Sequence, residues 1–257
     1  MFPGGYHVVE RGSGPTMILL HGGSGSWTHW IRNIDPLAAT RRVVAPDLPG
    51  CGSSAGVPPD ISPDAYVEIV RSIVDELIPD GETAELAGFS FGGGLAAAIA
   101  ALLQERISSL SLLGPAGFGI SRDRKLDLRK MIPWDSPEAE LRSVVAHNLG
   151  QLMLHETPQP TDPAVDLQME NLRTTRLDSR RISWRTTLVG DLQTYRGKVQ
   201  LIWGKQDRLA FPSPQDRGGQ VQAIRPDARI RYLDGAGHWV QYEQADDVNA
   251  CLSEFHD

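Results

Sequence analysis

The sequence predicts an α/β protein whose core is a mostly parallel β-sheet flanked by helices on both faces. Several short runs are apolar throughout rather than alternating, and longer stretches with helical spacing separate them. Strands that are apolar on both sides are buried on both sides, which is typical of parallel sheets covered by helices. The chain contains no internal repeat and no low-complexity tract.

The predicted elements alternate along the chain. A helix at residues 66–77 has apolar side chains at helical spacing and ends before a turn at residues 79–81. A second helix, at residues 95–103, is rich in alanine and leucine. Strands are predicted at residues 6–10, 16–20, 42–45, 84–87, 107–113, 199–203 and 228–233.

Composition excludes several classes of function. The net charge of −7 disfavours a polyanionic partner, so we expect no nucleic acid. No apolar run approaches the roughly 20 residues that span a bilayer, and the first residues lack the pattern of a secretory signal. Cys51 and Cys251 have no metal-ligand spacing and fit free thiols. We expect a cytoplasmic protein that binds no membrane, metal or cofactor.

One stretch interrupts the alternation of strands and helices. Residues 117–196 are polar, rich in arginine and helical in pattern, with prolines that divide them into segments. A structureless loop of this length is improbable, so we predict a helical layer inserted between core segments 1–116 and 197–257. Ordinary surface helices are one interpretation. A lid is favoured because the insertion follows a strand end, where open α/β sheets bind ligands.

A candidate nucleophile lies between the apolar run 84–87 and the helix that follows. Gly88, Phe89, Ser90, Phe91 and Gly92 form the pattern G-x-S-x-G. In this pattern a serine occupies a sharp strand-to-helix turn, and glycines fit two residues to either side, where a Cβ has almost no room. The pattern therefore predicts Ser90 as an exposed nucleophile.

A glycine-rich run, HGGSGS at residues 21–26, directly follows the second predicted strand. Such a run lets several backbone N–H groups point to one place, as in the oxyanion hole of acyl-transfer enzymes. A phosphate-binding loop is the rival interpretation, but the sequence has neither the following Lys-Ser/Thr nor a G-x-G-x-x-G pattern. A plain turn is the third.

An acid and a base follow later predicted strands. Asp207 comes just after the strand at 199–203, and His238 follows the strand at 228–233 between small residues. Taken singly, such an aspartate is more often a turn former and such a histidine more often structural. The chain order Ser90, Asp207, His238 is nevertheless the order of an α/β-hydrolase triad.

At these residues the chain resembles the α/β-hydrolase superfamily, and the resemblance extends from about residue 6 to residue 255. It implies an α/β-hydrolase fold with a helical lid after the sixth strand. It also implies Ser90 as nucleophile, His238 as base and Asp207 as the acid that orients it. The backbone N–H groups of Gly23 and Phe91 would form the oxyanion hole.

Within the superfamily, the segment Gly237-His238-Trp239 resembles the hydrolases that cleave carbon–carbon bonds in dienoate products of aromatic ring meta-cleavage. That resemblance implies Trp239 as a substrate-binding residue. Phe89 departs from the pattern, because those enzymes carry an asparagine just before the nucleophile. Similar Gly-His-Trp segments occur in esterases.

The predicted lid carries the other clue to the substrate. Arg173, Arg176 and Arg180 are spaced to share a helical face. One of them, Arg173 or Arg176 in the first place, would pair with a substrate carboxylate. A solvated face with local ion pairs is the alternative. Two further arginines, Arg181 and Arg185, lie in the same stretch.

We therefore expect a serine hydrolase that cleaves a carboxylic ester or ester-like bond of a small molecule. A carboxylate on that molecule would suit the arginines of the predicted lid. A carbon–carbon hydrolase of dienoates and a ligand receptor without turnover are the alternatives. The sequence leaves the oligomeric state open.

Overall fold

The protein was analysed as a computed structural model that describes residues 5–119, 125–183 and 186–256. Its centre is a seven-stranded sheet with the order β1-β3-β2-β4-β5-β6-β7. Strand β1 pairs antiparallel with β3, and the other pairs are parallel. The strands are β1 Val8–Arg11, β2 Thr16–Leu20, β3 Arg42–Pro46, β4 Ala84–Phe89, β5 Ile107–Leu113, β6 Lys198–Gly204 and β7 Arg229–Leu233.

Helices cover both faces of this sheet. A 3₁₀ turn at Trp27–Trp30 follows β2, and a second, at Gln104–Arg106, precedes β5. The α-helices are α1 Ile34–Leu37, α2 Pro63–Leu77, α3 Phe91–Leu103, α4 Glu138–Leu152, α5 Pro163–Thr174, α6 Arg180–Ser183, α7 Leu188–Thr194, α8 Pro214–Ile224, α9 Val240–Glu243 and α10 Ala245–His256.

Strand β2 shows why the two faces are both apolar. Successive side chains of a strand point to opposite faces. Ile18 and Leu20 pack with α2 and α3, whereas Met17 and Leu19 pack with α1 and α10 on the other side. All four are fully buried. The continuous apolar runs of the sequence therefore predicted the strands correctly, with boundaries that differ by a few residues at most.

Helix α2 begins three residues earlier than predicted, and its start is encoded locally. The Ser62 side chain accepts a hydrogen bond from the N–H of Ala65, and Pro63 occupies the first turn. Both are favourable at a helix start, because the first N–H groups lack intrahelical partners and proline has no N–H to lose.

The helices α4 to α7 lie between β5 and β6, and between those two strands no further strand occurs among the described residues. The predicted place of the insertion, after a sixth strand, is wrong, because five strands precede it in the part of the chain that the structure describes. In the described residues β1 forms the edge of the sheet, with β3 as its neighbour. Helices α4 and α5 pack on each other, and α7 packs against α3 and α8.

Among the described residues, none of the helices is long and apolar enough to cross a membrane.

Candidate active site

Ser90 occupies the turn between β4 and α3 with φ 52° and ψ −113°, a strained conformation for a residue other than glycine. The two flanking glycines have no space for a side chain. A Cβ on Gly88 would overlap the carbonyl of Gly92, and a Cβ on Gly92 would overlap the carbonyls of Leu20 and His21. The turn therefore has the geometry of a nucleophile elbow.

Asp207 and His238 form a buried pair. The Nδ1 atom of His238 lies 2.8 Å from Oδ2 of Asp207, and the two residues are 4% and 5% exposed. The other carboxylate oxygen accepts hydrogen bonds from the N–H groups of Leu209 and Ala210. Because Nδ1 donates its proton to the carboxylate, Nε2 is the atom left to accept one.

Backbone contacts bring the serine and the histidine to the same place. The Ser90 N–H donates to the carbonyl of Leu113, and the Ser90 carbonyl accepts from Ala116. Gly114 lies between Leu113 and Ala116 in the chain and is close to the histidine, since a Cβ on Gly114 would lie 3.0 Å from the His238 ring. His238 Nε2 has no hydrogen-bond partner among the described residues, so its bond to Ser90 is not formed in this structure. Such bonds are often long before substrate binds.

His21 anchors the glycine-rich loop. Its Nδ1–H donates to the Gly22 carbonyl at 2.7 Å, and its Nε2 accepts from the Leu48 N–H at 2.8 Å. Burial lowers the pKa of His21, which keeps the ring neutral and both bonds intact.

The predicted oxyanion-hole residues are neighbours. A Cβ on Gly23 would lie 3.7 Å from the Cβ of Phe91. Phe91 is the first residue of α3, where the amide N–H has no acceptor within the helix. The two residues therefore lie side by side at the start of α3, and the role of their N–H groups as an oxyanion hole stays a prediction.

His29 lies in the same site and was not found from the sequence. It is 1% exposed, and its Nδ1 accepts the N–H of Gly22 at 3.1 Å. Its ring makes edge contacts with Phe89 and Trp239, with centroids 5.3 and 5.0 Å apart. Burial, with smaller contributions from His21 and His238, holds the pKa of His29 well below its ordinary value.

Trp239 is fully buried beside His238. Its indole N–H donates to the carbonyl of His29 at 2.9 Å, and its ring stacks on Tyr242 with centroids 4.3 Å apart. The indole nitrogen of Trp239, the residue predicted to bind substrate, is therefore already hydrogen-bonded within the protein.

The arginines of the insertion do not share one helical face, and that prediction was wrong. Helix α5 ends at Thr174 and α6 begins at Arg180, so Arg176 lies outside both. Arg173 covers the Trp134 ring at 5.1 Å, and Arg180 pairs with Asp178 at 2.7 Å.

Two further arginines bind backbone carbonyls of the segment that follows β3. Arg176 donates to the carbonyls of Gly52 and Ser54, and Arg181 donates to that of Pro59. Arg173, Arg176, Arg180 and Arg181 are all exposed, and Arg185 lies outside the described residues.

The insertion contacts the glycine-rich loop directly. Asn171 of α5 is buried and accepts hydrogen bonds from the hydroxyls of Ser26 and Thr28, at 2.7 and 3.1 Å. Beyond α5, the Ser179 hydroxyl occupies the position that a Cβ on Gly23 would take. The insertion therefore packs against the glycine-rich loop through two buried side chains.

A small cavity of about 20 Å³ adjoins the site between α3 and α6. The cavity is lined by Val67, Phe91, Gly94, Leu95, Ala98, Ala116, Gly117, Ile182, Ser183 and Thr187.

No group of three or more His, Cys, Asp or Glu side chains that could hold a metal ion occurs within the described ranges.

The chain is similar in sequence to members of one known family. The model of the alpha/beta hydrolase family matches residues 17–250. The chain is 30% identical to a 2-hydroxy-6-oxo-6-phenylhexa-2,4-dienoate hydrolase of Burkholderia cepacia, over 97% of this chain and 90% of that protein. The chain therefore belongs to the alpha/beta hydrolase family.

Two solved structures are similar over nearly the whole chain. A meta-cleavage product hydrolase from Pseudomonas fluorescens IP01 has a TM-score of 0.67 at 25% identity, covering 97% of this chain and 93% of that one. A thermophilic esterase from Thermogutta terrifontis has a TM-score of 0.73 at 19% identity, covering 99% and 94%. The second likeness concerns the fold alone.

Proposed function

We propose that this protein hydrolyses a carboxylic ester of a small molecule, with Ser90 as nucleophile, His238 as base and Asp207 as the group that orients the base. The observation that supports this most is the buried 2.8 Å contact between His238 and Asp207. It fixes the tautomer in which Nε2 is free to take a proton from a serine.

The reaction has two stages. Ser90 Oγ attacks the carbonyl carbon while His238 Nε2 accepts the hydroxyl proton, and the N–H groups of Gly23 and Phe91 stabilise the oxyanion. His238 then passes the proton to the leaving alkoxide as the C–O bond breaks. In the second stage His238 deprotonates water, which attacks the acyl-enzyme, releases the acid and restores Ser90.

The insertion serves as a lid over this site in our proposal. Contacts from Asn171 and Ser179 to the glycine-rich loop support it, because both side chains are buried against that loop. Closing such a segment over bound substrate excludes water and strengthens the electrostatic interactions within.

The surroundings of the triad favour an ester over a dienoate. A dienoate carries a carboxylate, which needs a buried cation or several donors. The four described arginines at positions 173–181 are exposed. Phe89, which is apolar, lies against His238 with ring centroids 5.0 Å apart.

Carbon–carbon bond hydrolysis is the second candidate. It is favoured by the named relative of Burkholderia cepacia, a dienoate hydrolase, and by the Trp239 that follows His238 in this chain. A small molecule is the substrate in either case.

Parallel assays decide between the two reactions. Purified protein is given short p-nitrophenyl esters and a meta-cleavage dienoate, and kcat/KM is measured for each, with Ser90→Ala as the control. We expect ester turnover that the control lacks and little or no dienoate turnover. A kcat/KM for the dienoate well above that for esters would replace the ester assignment. Binding of substrates without multiple turnover would indicate a receptor instead.

A further inference from the structure

Glu243, at the end of α9, binds two separate segments with one carboxylate. Oε2 accepts the N–H of Gly237 at 2.7 Å, and Gly237 directly precedes His238. Oε1 accepts the N–H of His155 at 2.8 Å, and His155 belongs to the insertion. The carboxylate therefore joins the loop that carries the candidate base to the insertion.

The segment at residues 150–155, at the end of α4, receives further bonds from the same catalytic loops. We call it the 150–155 turn. The backbone N–H of Trp239 donates to the carbonyl of Met153 at 2.7 Å. Arg208, next to Asp207, donates to the carbonyls of Gly150 and His155.

Close packing leaves the histidine loop little freedom at this point. A Cβ on Gly237 would lie 2.7 Å from the His155 nitrogen and 2.7 Å from the Leu154 carbonyl carbon. The loops of both the acid and the base are thus fastened to one turn of the insertion rather than to the sheet alone.

We propose that Glu243 is a positioning residue that, together with Arg208, fixes the distance between His238 and Asp207 by tying both of their loops to the 150–155 turn. The inference rests on the proposed triad. It extends that proposal by making the geometry of the triad depend on where the insertion lies.

The chemistry of Glu243 suits this role. Two backbone N–H groups need two acceptor oxygens, and a carboxylate supplies both, whereas an amide would turn an NH₂ group toward one of the donors. Burial raises the pKa of the Glu243 carboxyl, and the two N–H groups and His155 oppose that rise.

The test compares Glu243→Gln with Asp234→Asn. Asp234 lies in the same loop, but its carboxylate is exposed and pairs only with Lys205 among the described contacts. We expect Glu243→Gln to lower kcat for p-nitrophenyl acetate at least about tenfold with KM within about twofold, because positioning affects the transition state more than binding. Asp234→Asn should retain parental values. Circular dichroism and the melting temperature confirm that each variant is folded.

Proton NMR adds a measurement that does not depend on turnover. The Nδ1–H of His238, bonded to the Asp207 carboxylate, gives a downfield resonance that Asp207→Asn removes. In folded Glu243→Gln this resonance should shift or broaden, while Asp234→Asn leaves it in place. An unchanged resonance together with an unchanged kcat would overturn the positioning role. Absence of ester turnover in the parent protein would instead contradict the proposed function, and the resonance would still decide the role of Glu243.

Discussion

The indole N–H of Trp239 donates to the backbone carbonyl of His29 at 2.9 Å, so the histidine loop is bonded to the turn that follows the glycine-rich loop. The ring of His29 continues this connection, because its Nδ1 accepts the N–H of Gly22 next to the predicted oxyanion hole. His29 can accept that bond only while its ring is neutral at Nδ1.

This arrangement predicts a stability that falls as the pH falls. Burial lowers the pKa of both His21 and His29 from 6.5, so below about that pH the unfolded chain binds protons that the native protein excludes. Each excluded proton reduces the free energy of unfolding by about 1.4 kcal/mol per pH unit. Urea unfolding between about pH 5 and about pH 7 measures the slope.

The matched variant is His29→Gln, whose side-chain oxygen can still accept the Gly22 N–H. It should reduce the pH dependence of the free energy of unfolding, since one excluded proton is removed. If the free energy of unfolding changed with pH equally in parent and variant, His29 would have to take up a proton in the native protein.

A second prediction concerns the acid. Replacing Asp207 by Asn removes the acceptor that fixes the His238 tautomer, so kcat for aryl esters should fall by roughly 10³–10⁴-fold in a folded protein. Asp234→Asn, in the loop that carries His238, is the control. If Asp207→Asn retained most of its kcat, another carboxylate would have to orient His238.

A third prediction concerns Cys51, which is 1% exposed. Burial, with a smaller contribution from Asp47, raises the pKa of its thiol to about 12. The reactive thiolate is therefore scarce near neutral pH, and native Cys51 should resist iodoacetamide until urea unfolds the chain. Mass spectrometry of the labelled peptides measures this. Rapid alkylation of Cys51 in the native protein would contradict the buried position.

The contact between Gly23 and Ser179 gives a fourth prediction. A methyl group on Gly23 would overlap the Ser179 hydroxyl, so Gly23→Ala should displace the insertion or the oxyanion loop and lower kcat at least about tenfold. The Ser179 Cβ lies 3.4 Å from that methyl, an ordinary contact, so adding Ser179→Ala should restore part of the activity. Full activity of Gly23→Ala alone would mean that the two residues are not packed together.

The sequence predicted those parts of the site that follow local rules. Ser90 directly follows β4, whereas Asp207 and His238 lie on the loops that follow β6 and β7. A strand end fixes where the next few residues lie. His29 and Glu243 could not be found in this way, because their partners Gly22, Gly237 and His155 are defined by tertiary packing.

The arginines show where helical spacing misleads. The hydroxyl of Thr175 donates to the carbonyl of Asn171, and the backbone of Thr175 turns to an extended conformation with ψ 123°. Helix α5 therefore stops, and Leu177 packs against Gly50 instead of continuing the helix. Two neighbouring threonines, which bond to the backbone and are weak helix formers, were the local signal for this end.

Labelling with a fluorophosphonate tests the central claim, the nucleophilic role of Ser90, most directly. The reagent is attacked by an activated serine, so intact-mass and peptide spectra should show one label per chain, on Ser90. The Ser90→Ala variant should take up none while keeping the parental circular dichroism spectrum. A label on another residue, or equal labelling of Ser90→Ala, would contradict the account.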